Sequence, residues 1–304
     1  MLGAAAGGGF PQWNANSEAC RRARDGDPAA PPATQASIAI TADGKRWFLV
    51  NASPDLRSQI EASPCLHPSE GIRSSPIAGV VLTNADVDAV AGLLGMREGQ
   101  PFTVYGTERV LGVLAANSIF DVLDANVVKR VPMEYGRPFA VEGPSDPVGI
   151  TVEAFGVPGK IPLYLEEARA GVGLGTQEGD TAGLKVTETA TGRHFFFIPG
   201  CAKLDDGLRA RITGAPLLFF DGTLYTNDEM IVQGLLNKTG ERIGHMNMSG
   251  SAGSVAQIAP LNIGRKIFIH INNSNPALRD ASPERAAVEH AGWEIAYDGM
   301  EVRV

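Results

Sequence analysis

Three strongly apolar segments, each followed closely by polar side chains, constrain the fold of this chain most. They are IAGVVLT (77–83), APLLFFDGT (215–223) and RKIFIHI (265–271). Apolar runs of this length are typical of strands buried inside a protein. Helical patterns follow two of them, as VDAVAGLLGMRE (87–98) and ASPERAAVEHAGW (281–293), the second with a capping signal at its start. The pattern predicts buried sheets that are covered by helices.

The remaining segments add strands on both sides of the chain's middle. SIAITAD (37–43) and RWFLVNAS (46–53) flank Asp43-Gly44, which predicts a hairpin. GITVEAFGVP (149–158) and GLKVTETATGRHFFFIPG (183–200) read as strands, and WEIAYDGMEVRV (293–304) as a closing hairpin. We therefore expect an α+β protein, an αββα sandwich of two packed sheets with helices outside, formed by a single domain over 1–304.

Composition excludes several classes of function. The net charge is −8, which argues against a broad surface for nucleic acid or for an anionic membrane. No apolar run approaches the roughly 18 residues of a spanning helix, and the first residues lack the pattern of a signal peptide. Three cysteines are too few for a disulfide framework and suit reduced thiols. We expect a cytoplasmic protein with no nucleic acid and no membrane among its partners.

The turn after the first apolar strand carries oxygen donors at alternating positions. Asn84, Asp86 and Asp88 follow Thr83 and precede an apolar helix. Such a turn is held rigidly by both elements, and its side chains can converge on a cation. The alternative is that Asp86 or Asp88 caps the helix, which the turn taken alone favours.

Three further residues with chemistry lie near strand or loop ends. Asp221 ends an apolar strand, and burying its carboxylate is costly without a cation or several N–H donors. The alternative is an Asx-turn onto Thr223. His245 lies in IGHMNMSG, and His270 lies in an apolar strand before an amide-rich turn that includes Asn273. A single histidine of this kind is usually a core residue, but two beside Ser/Asn clusters favour a site.

Two segments are candidates for substrate contact. The start, GAAAGGGFPQWN (3–14), lacks the spacing of a P-loop or a dinucleotide fingerprint. Its Gly8 and Gly9 favour close approach of the backbone to a ligand or to another segment. Lys160, in FGVPGKIPLYLEE (155–167), can hold an anionic group of a substrate. The alternative is a solvated lysine in a turn.

Taken in order, these pieces resemble the metallo-β-lactamase superfamily. That fold has an HxHxDH motif after a strand, a later aspartate at a strand end and a final histidine. The matching positions here hold Asn84, Asp86, Asp88 and Ala89, then Asp221 and His270. The segment GHMNMSGSAGSVAQIA, with His245, looks like the His-Ser region of long members such as the tRNA-maturing nucleases.

Within the superfamily, eight blocks resemble the PqqB family of pyrroloquinoline quinone (PQQ) biosynthesis. They are AAAGGGFPQWN, NASPDLRSQI, LTNADVDAVAGLL, REGQPF, VPGKIPLYLE, FFDGTLYTNDEM, GHMNMSG and IHINNSNP. The resemblance implies an iron-dependent, oxygen-using hydroxylase that acts on the tyrosine ring of a peptide-derived Glu-Tyr unit. The alternative is a catalytically impaired paralogue that binds or carries PQQ or its precursor, for instance in transport.

Two departures from the family pattern affect metals. The family commonly has Cys-x-Cys-x-x-Cys where this chain has Ala15, Ser17 and Cys20. One thiolate cannot complete the four-ligand shell of a structural zinc, so we predict none at Cys20. Ala89 offers no donor atom where the motif has a histidine. The missing histidine ligand should weaken metal binding by at least roughly 10–100-fold.

The resemblance and the residues together give a set of expected roles. Fe(II) is the expected metal, and Mn, Mg or Zn are compatible with carboxylate and imidazole ligands. Too few histidines remain for a hydrolytic zinc pair. The expected partner is a small peptide-derived substrate or PQQ, and a homodimer is compatible with the sequence. The expected metal ligands are Asp86, Asp88, Asp221, His245 and His270; the catalytic residues are Asp86, Asp88 and His270; the substrate-binding residues are Gly8, Gly9, Lys160 and Asn273.

Overall fold

A computed structural model describes residues 1–142, 147–159 and 179–304. Lys160 therefore lies outside the described residues. Within the described part, no helix is both long and apolar enough to cross a lipid bilayer.

The first half of the chain forms a five-stranded sheet in sequential order. Its strands are β1 (Ile38–Ile40), β2 (Trp47–Val50), β3 (Ile77–Val81), β4 (Phe102–Gly106) and β5 (Val128–Pro132). β1 and β2 are antiparallel, which confirms the hairpin, and each later neighbour pair is parallel. Asp43 shapes the hairpin turn, because its Oδ1 accepts from the backbone N–H groups of Lys45 and Arg46, both at 2.8 Å.

The rest of the chain forms a seven-stranded sheet in the order β12-β11-β10-β9-β8-β7-β6. These strands are β6 (Phe139–Glu142), β7 (Pro147–Gly156), β8 (Ala182–Glu188), β9 (His194–Ile198), β10 (Leu217–Asp221), β11 (Arg265–Ile269) and β12 (Glu294–Ile295). β6 to β9 are antiparallel, whereas β9 to β12 are parallel. The carboxyl ends of β9, β10 and β11 consequently meet at one edge.

Alternation along the strands separates three apolar layers. In β10, Leu217 and Phe219 face the first sheet, while Leu218 and Phe220 face helices on the outside. In β2, Phe48 faces the second sheet and Leu49 faces outward. Each fully buried side chain of this size contributes about 1.5–3 kcal/mol. The layers confirm the predicted αββα sandwich.

Helices cover both outer faces. They are α1 (Glu18–Arg24), α2 (Leu56–Glu61), α3 (Val87–Val90), α4 (Glu108–Ala116), α5 (Asp206–Ile212), α6 (Glu229–Val232), α7 (Ser254–Ile258) and α8 (Pro283–His290). The capping signal before α8 is confirmed, because the Ser282 side chain accepts from the backbone N–H of Arg285 at 3.0 Å.

The helix predicted over 87–98 is wrong in length. α3 ends at Val90 and continues as a 3-10 helix, Ala91–Met96. Backbone groups that would pair along a continuing α-helix pair with Ala52 instead. The Ala89 carbonyl accepts from the Ala52 N–H, and the Gly92 N–H donates to the Ala52 carbonyl. A Cβ on Gly92 would lie 2.2 Å from the carbonyl oxygen of Ser53, so this close approach requires glycine.

The closing hairpin predicted over 293–304 is also wrong. β12 pairs in parallel with β11, and residues 296–304 form no strand. Asp298 explains the difference, because its carboxylate accepts from the backbone N–H of Ala4 at 3.1 Å and of Thr34 at 2.7 Å. The chain is thereby tied to the N-terminal segment instead of turning back on β12.

Candidate metal centre

The candidate site lies where strands from both sheets end. Asp221 is the last residue of β10 and pairs with Ile269, so His270 follows directly beside it. The turn after β3 brings Asn84, Asp86 and Asp88 to the same place. The three side chains of this turn line one cavity of 560 Å³, together with Gly8, Ala89, Thr223, His245, His270 and Asn272 among others.

Asp221, His245 and His270 form the one group of potential metal ligands found among the described residues. One ligand atom from each lies within 4.8 Å of the others. Asp221 is fully buried, and His245 is 9% exposed. The two imidazole rings are stacked, with centroids 5.2 Å apart and planes inclined by 18°. His245 and His270 line the cavity, whereas Asp221 lies buried next to it. Two imidazoles and a carboxylate are a donor set that suits a metal ion with open positions.

The buried Asp221 carboxylate is surrounded by donors. Its Oδ2 accepts from the backbone N–H of Cys201 and lies close to His245 Nδ1, both at 2.8 Å. Its Oδ1 accepts from the backbone N–H of Thr223 at 3.0 Å and from the Thr223 hydroxyl at 2.6 Å. Asp221 therefore combines the two alternatives given for it: it is a buried acid with several donors, and it also forms the turn onto Thr223.

Thr223 is a member of the site that the sequence did not single out. Its hydroxyl oxygen lies 3.0 Å from His245 Nδ1 and 2.8 Å from His270 Nδ1, in addition to its contact with Asp221. The only signal was its position two residues after Asp221, and a turn explains that position equally well.

The turn after β3 contributes through Asp88 most directly. Asp88 Oδ2 lies 3.0 Å from His270 Nε2, which joins the two sheets across the cavity. Asp86 occupies the N-cap position of α3, yet within the described chain its side chain makes no capping hydrogen bond. Asn84 instead accepts from the Asp86 backbone N–H at 2.9 Å and orders the turn. The arrangement does not favour the cap interpretation for Asp86.

Cys201 lies against the buried acid but is not a thiolate ligand. Burial raises the pKa of its thiol strongly, and the nearby Asp221 charge adds to this effect. Its Sγ donates to the backbone carbonyl of Lys203 at 3.1 Å. At neutral pH the group remains a thiol, and its role at the site is the backbone N–H that it gives to Asp221.

Comparison with known proteins gives the family. A model described as "Beta-lactamase superfamily domain" matches residues 46–271. Coenzyme PQQ synthesis protein B of Gluconacetobacter diazotrophicus is 55% identical over 303 residues, covering 99% of this chain and 98% of that protein. The same protein of Bradyrhizobium diazoefficiens is also 55% identical, over 307 residues, with the same coverage. The chain belongs to the PqqB family.

Solved structures agree with this placement. Zn(2+)-bound PqqB from Methylobacterium extorquens superposes with a TM-score of 0.94 at 48% identity, over 100% of this chain and 98% of that one. A diphosphatase of the PhnP family gives a TM-score of 0.66 at 18% identity, covering 100% of this chain and 96% of that one, and shares the fold. The chain is a PQQ biosynthesis protein with the metallo-β-lactamase fold.

Ala89 of this PqqB chain lies at the cavity wall. The residue is 2% exposed, and its backbone N–H donates to the Asp86 carbonyl at 2.9 Å. Its methyl group supplies no donor atom. Position 89 therefore offers no ligand to a metal in this cavity.

The expected substrate contacts of this PqqB chain are only partly in the cavity. Gly8 lines it and donates its N–H to Gln35 Oε1 at 2.9 Å, but Gly9 is buried behind it. Asn273 is not among the lining residues; its amide donates to Gln12, and its carbonyl oxygen lies 4.0 Å from Cys20 Sγ. Since Gln12 lines the cavity, Asn273 contributes to the cavity only by holding the Gln12 side chain.

Proposed function

We propose that this PqqB-family protein is a mononuclear metal-dependent oxygenase. Its substrate is a peptide-derived Glu-Tyr unit, and it hydroxylates the tyrosine ring during PQQ synthesis. The observation that carries the proposal is the group of His245, His270 and Asp88 at the cavity wall, with the buried Asp221 next to both histidines. The cavity volume of 560 Å³ is in the range of small-molecule sites.

The donor set supports iron as the metal. Non-haem Fe(II) oxygenases use two histidines and one carboxylate on one face and leave the other positions open. His245, His270 and either Asp88 or Asp221 can supply such a set, with Asp86 as a further carboxylate at the cavity wall. Manganese, magnesium or zinc are compatible with the same donors.

The reaction needs a reductant as well as dioxygen. One oxygen atom enters a ring C–H bond as a hydroxyl group, and the other leaves as water. The balance takes two electrons and two protons from an external reductant. The redox-active metal supplies electron transfer to dioxygen when it is bound. Among the residues that line the cavity, Asn84 and Asn272 offer side-chain amides to a bound substrate.

The test uses protein purified without chelators and reconstituted with Fe(II) under anaerobic conditions. We expect about one bound iron per chain, and oxygen uptake on addition of a Glu-Tyr dipeptide and a reductant. The product should be heavier by one oxygen atom. His270→Ala should abolish uptake, whereas Asp121→Asn, at an exposed position outside the cavity, should leave it unchanged. Stoichiometric iron without any hydroxylated product would contradict the proposal.

The buried Ala89 favours a second candidate function, namely binding of PQQ or its precursor without chemistry. The site then keeps its cavity and lacks one donor atom. Ala89→His separates the two candidates. If the wild type is free of metal and inert but binds PQQ, and Ala89→His binds iron, the binding function is correct.

A further inference from the structure

We propose that Thr223 is a positioning residue that holds His245 and His270 with Nε2 presented to the metal. The inference rests on the proposed metal centre and specifies how the chain prepares its ligands. It also gives the two carboxylates different roles: Asp221 supports the histidines from the buried side, and Asp88 binds the metal.

The Thr223 hydroxyl is the common contact of the whole group. It lies 2.6 Å from Asp221 Oδ1, 2.8 Å from His270 Nδ1 and 3.0 Å from His245 Nδ1. It also lies 3.0 Å from the backbone carbonyl oxygen of His270. Thr223 is 4% exposed, so water does not replace these contacts freely. A single side-chain oxygen thus joins three functional residues.

The distances determine where the hydroxyl proton goes. A threonine hydroxyl has one proton to donate and two lone pairs to accept. The 2.6 Å contact with Asp221 has the length of a charge-assisted O–H···O⁻ hydrogen bond. The proton therefore goes to the carboxylate, and the lone pairs face the two imidazoles. Each imidazole must then carry its own proton on Nδ1.

The Asp221 carboxylate supports the same assignment for His245. His245 Nδ1 lies 2.8 Å from Asp221 Oδ2, and an ionised carboxylate only accepts hydrogen bonds. Both neighbours of this nitrogen are thus acceptors. Together with the Cys201 N–H, these contacts occupy Asp221 on the buried side. Asp221 then orients the imidazole as a carboxylate partner does behind a metal-binding histidine.

A neutral imidazole with its proton on Nδ1 has a bare nitrogen at Nε2, which is the atom that binds metals. His270 Nε2 lies 3.0 Å from Asp88 Oδ2, and both residues line the cavity. A metal ion bound by both atoms would account for this short separation. With metal–ligand bonds of about 2.0–2.2 Å, neighbouring donors lie roughly 3 Å apart. Asp88 is therefore the carboxylate of the metal side.

The backbone around His270 explains why an external support is needed. His270 has a φ of 61°, a left-handed conformation that costs energy for a residue with a side chain. The Thr223 hydroxyl contacts both the carbonyl oxygen and the ring of this residue. With its proton on Asp221, the hydroxyl acts on His270 by accepting from Nδ1 at 2.8 Å, and it thereby orients the imidazole on this strained backbone.

The test compares Thr223→Val, which removes the hydroxyl, with Thr223→Ser, which keeps it. Long-range ¹H–¹⁵N spectra of the metal-free protein report the proton position on each imidazole, and Zn(II) titration reports affinity. We expect Nδ1–H on both histidines of the wild type. In Thr223→Val, His270 should lose this form more than His245, which keeps Asp221. Zn(II) affinity should fall about 10–100-fold, as for other groups that orient metal ligands, and Thr223→Ser should restore both properties.

Thr107→Val is the matched control. It removes another buried threonine hydroxyl, which caps α4 by accepting from the Val110 N–H and contacts none of the three site residues. It should leave Zn(II) affinity and both imidazoles unchanged. A Thr223→Val protein with wild-type affinity, or a wild type with its protons on Nε2, would overturn the inference. Neither measurement involves turnover, so an inactive wild type that meets both expectations would contradict only the proposed oxygenase.

Discussion

At the scale of single residues, two aspartates at the site differ in their surroundings. Asp88 lines the cavity and reaches His270 Nε2. Asp221 is fully buried, and its two oxygens contact donors of the protein itself. Asp88 can exchange its contact with His270 for a ligand in the cavity. Asp221 is held by hydrogen bonds inside the protein, so it also stabilises the fold.

Replacing each aspartate by asparagine should separate the two roles. Asp88→Asn should lower Zn(II) affinity by about 10-fold or more with little effect on stability. Asp221→Asn places an NH₂ group against the N–H donors of Cys201 or Thr223, so it should also lower the free energy of unfolding by about 1–3 kcal/mol. Metal titration and urea unfolding measure the two effects, with Asp121→Asn as the exposed control. Equal stability of both site variants would contradict this assignment.

Glu229 is a buried acid outside the proposed ligand set. Burial raises the pKa of this carboxyl, although hydrogen bonds from Ser274 and the Tyr225 N–H oppose the shift. The folded protein then holds this proton at pH values where the unfolded chain has released it. The contribution of Glu229 to stability is therefore present in full at low pH and is lost as the pH rises through the raised pKa.

The variant Glu229→Gln tests this pH dependence. Glutamine can accept from Tyr225 and donate to the Ser274 hydroxyl, so it fits the same contacts without a charge. The ordinary pKa of glutamate is about 4.3. As the pH rises from about 4 to about 7, we expect the unfolding free energy of Glu229→Gln to fall less than that of the wild type. Urea unfolding across this range gives the comparison. Parallel profiles for the two proteins would show that Glu229 is not the source.

At the scale of elements, the strand ends were predictable and several local details were not. The apolar runs before Asn84, Asp221 and His270 identified buried strands, and polar residues at their carboxyl ends indicated a shared site. Thr223 was missed because a hydroxyl after Asp-Gly is typical of an ordinary turn. The ends of α3 and of the chain depend on partners that are distant in sequence, Ala52 for the one and Ala4 for the other. No local pattern records such contacts.

Gly92 provides a test of the element that follows the site turn. A methyl group there meets the Ser53 carbonyl oxygen, so Gly92→Ala should lower the free energy of unfolding by about 1–3 kcal/mol. Gly112→Ala is the matched control within α4, where no atom lies within 4 Å of an added Cβ. That change should stabilise the protein by about 0.4–1 kcal/mol. Thermal and urea unfolding measure both, and a neutral Gly92→Ala would contradict the close packing described here.

At the scale of the whole molecule, the cavity depends on how the two sheets meet. The N-terminal segment lies between them, because the Ala5 N–H donates to Thr34 and the Ala6 N–H donates to Ile271. Its Gly8 then reaches the cavity next to the residues after β3 and β11. His270 of the second sheet contacts Asp88 of the first across this space. A metal bound there would join both halves of the sandwich.

Anomalous diffraction from crystals loaded with iron or zinc tests this arrangement most directly. We expect one metal peak in the cavity, within bonding distance of Nε2 of both His245 and His270 and of an Asp88 oxygen, with Asp221 behind the imidazoles. A pair of peaks, or a single peak bound to Asp221 and remote from His270 Nε2, would contradict the mononuclear centre proposed here.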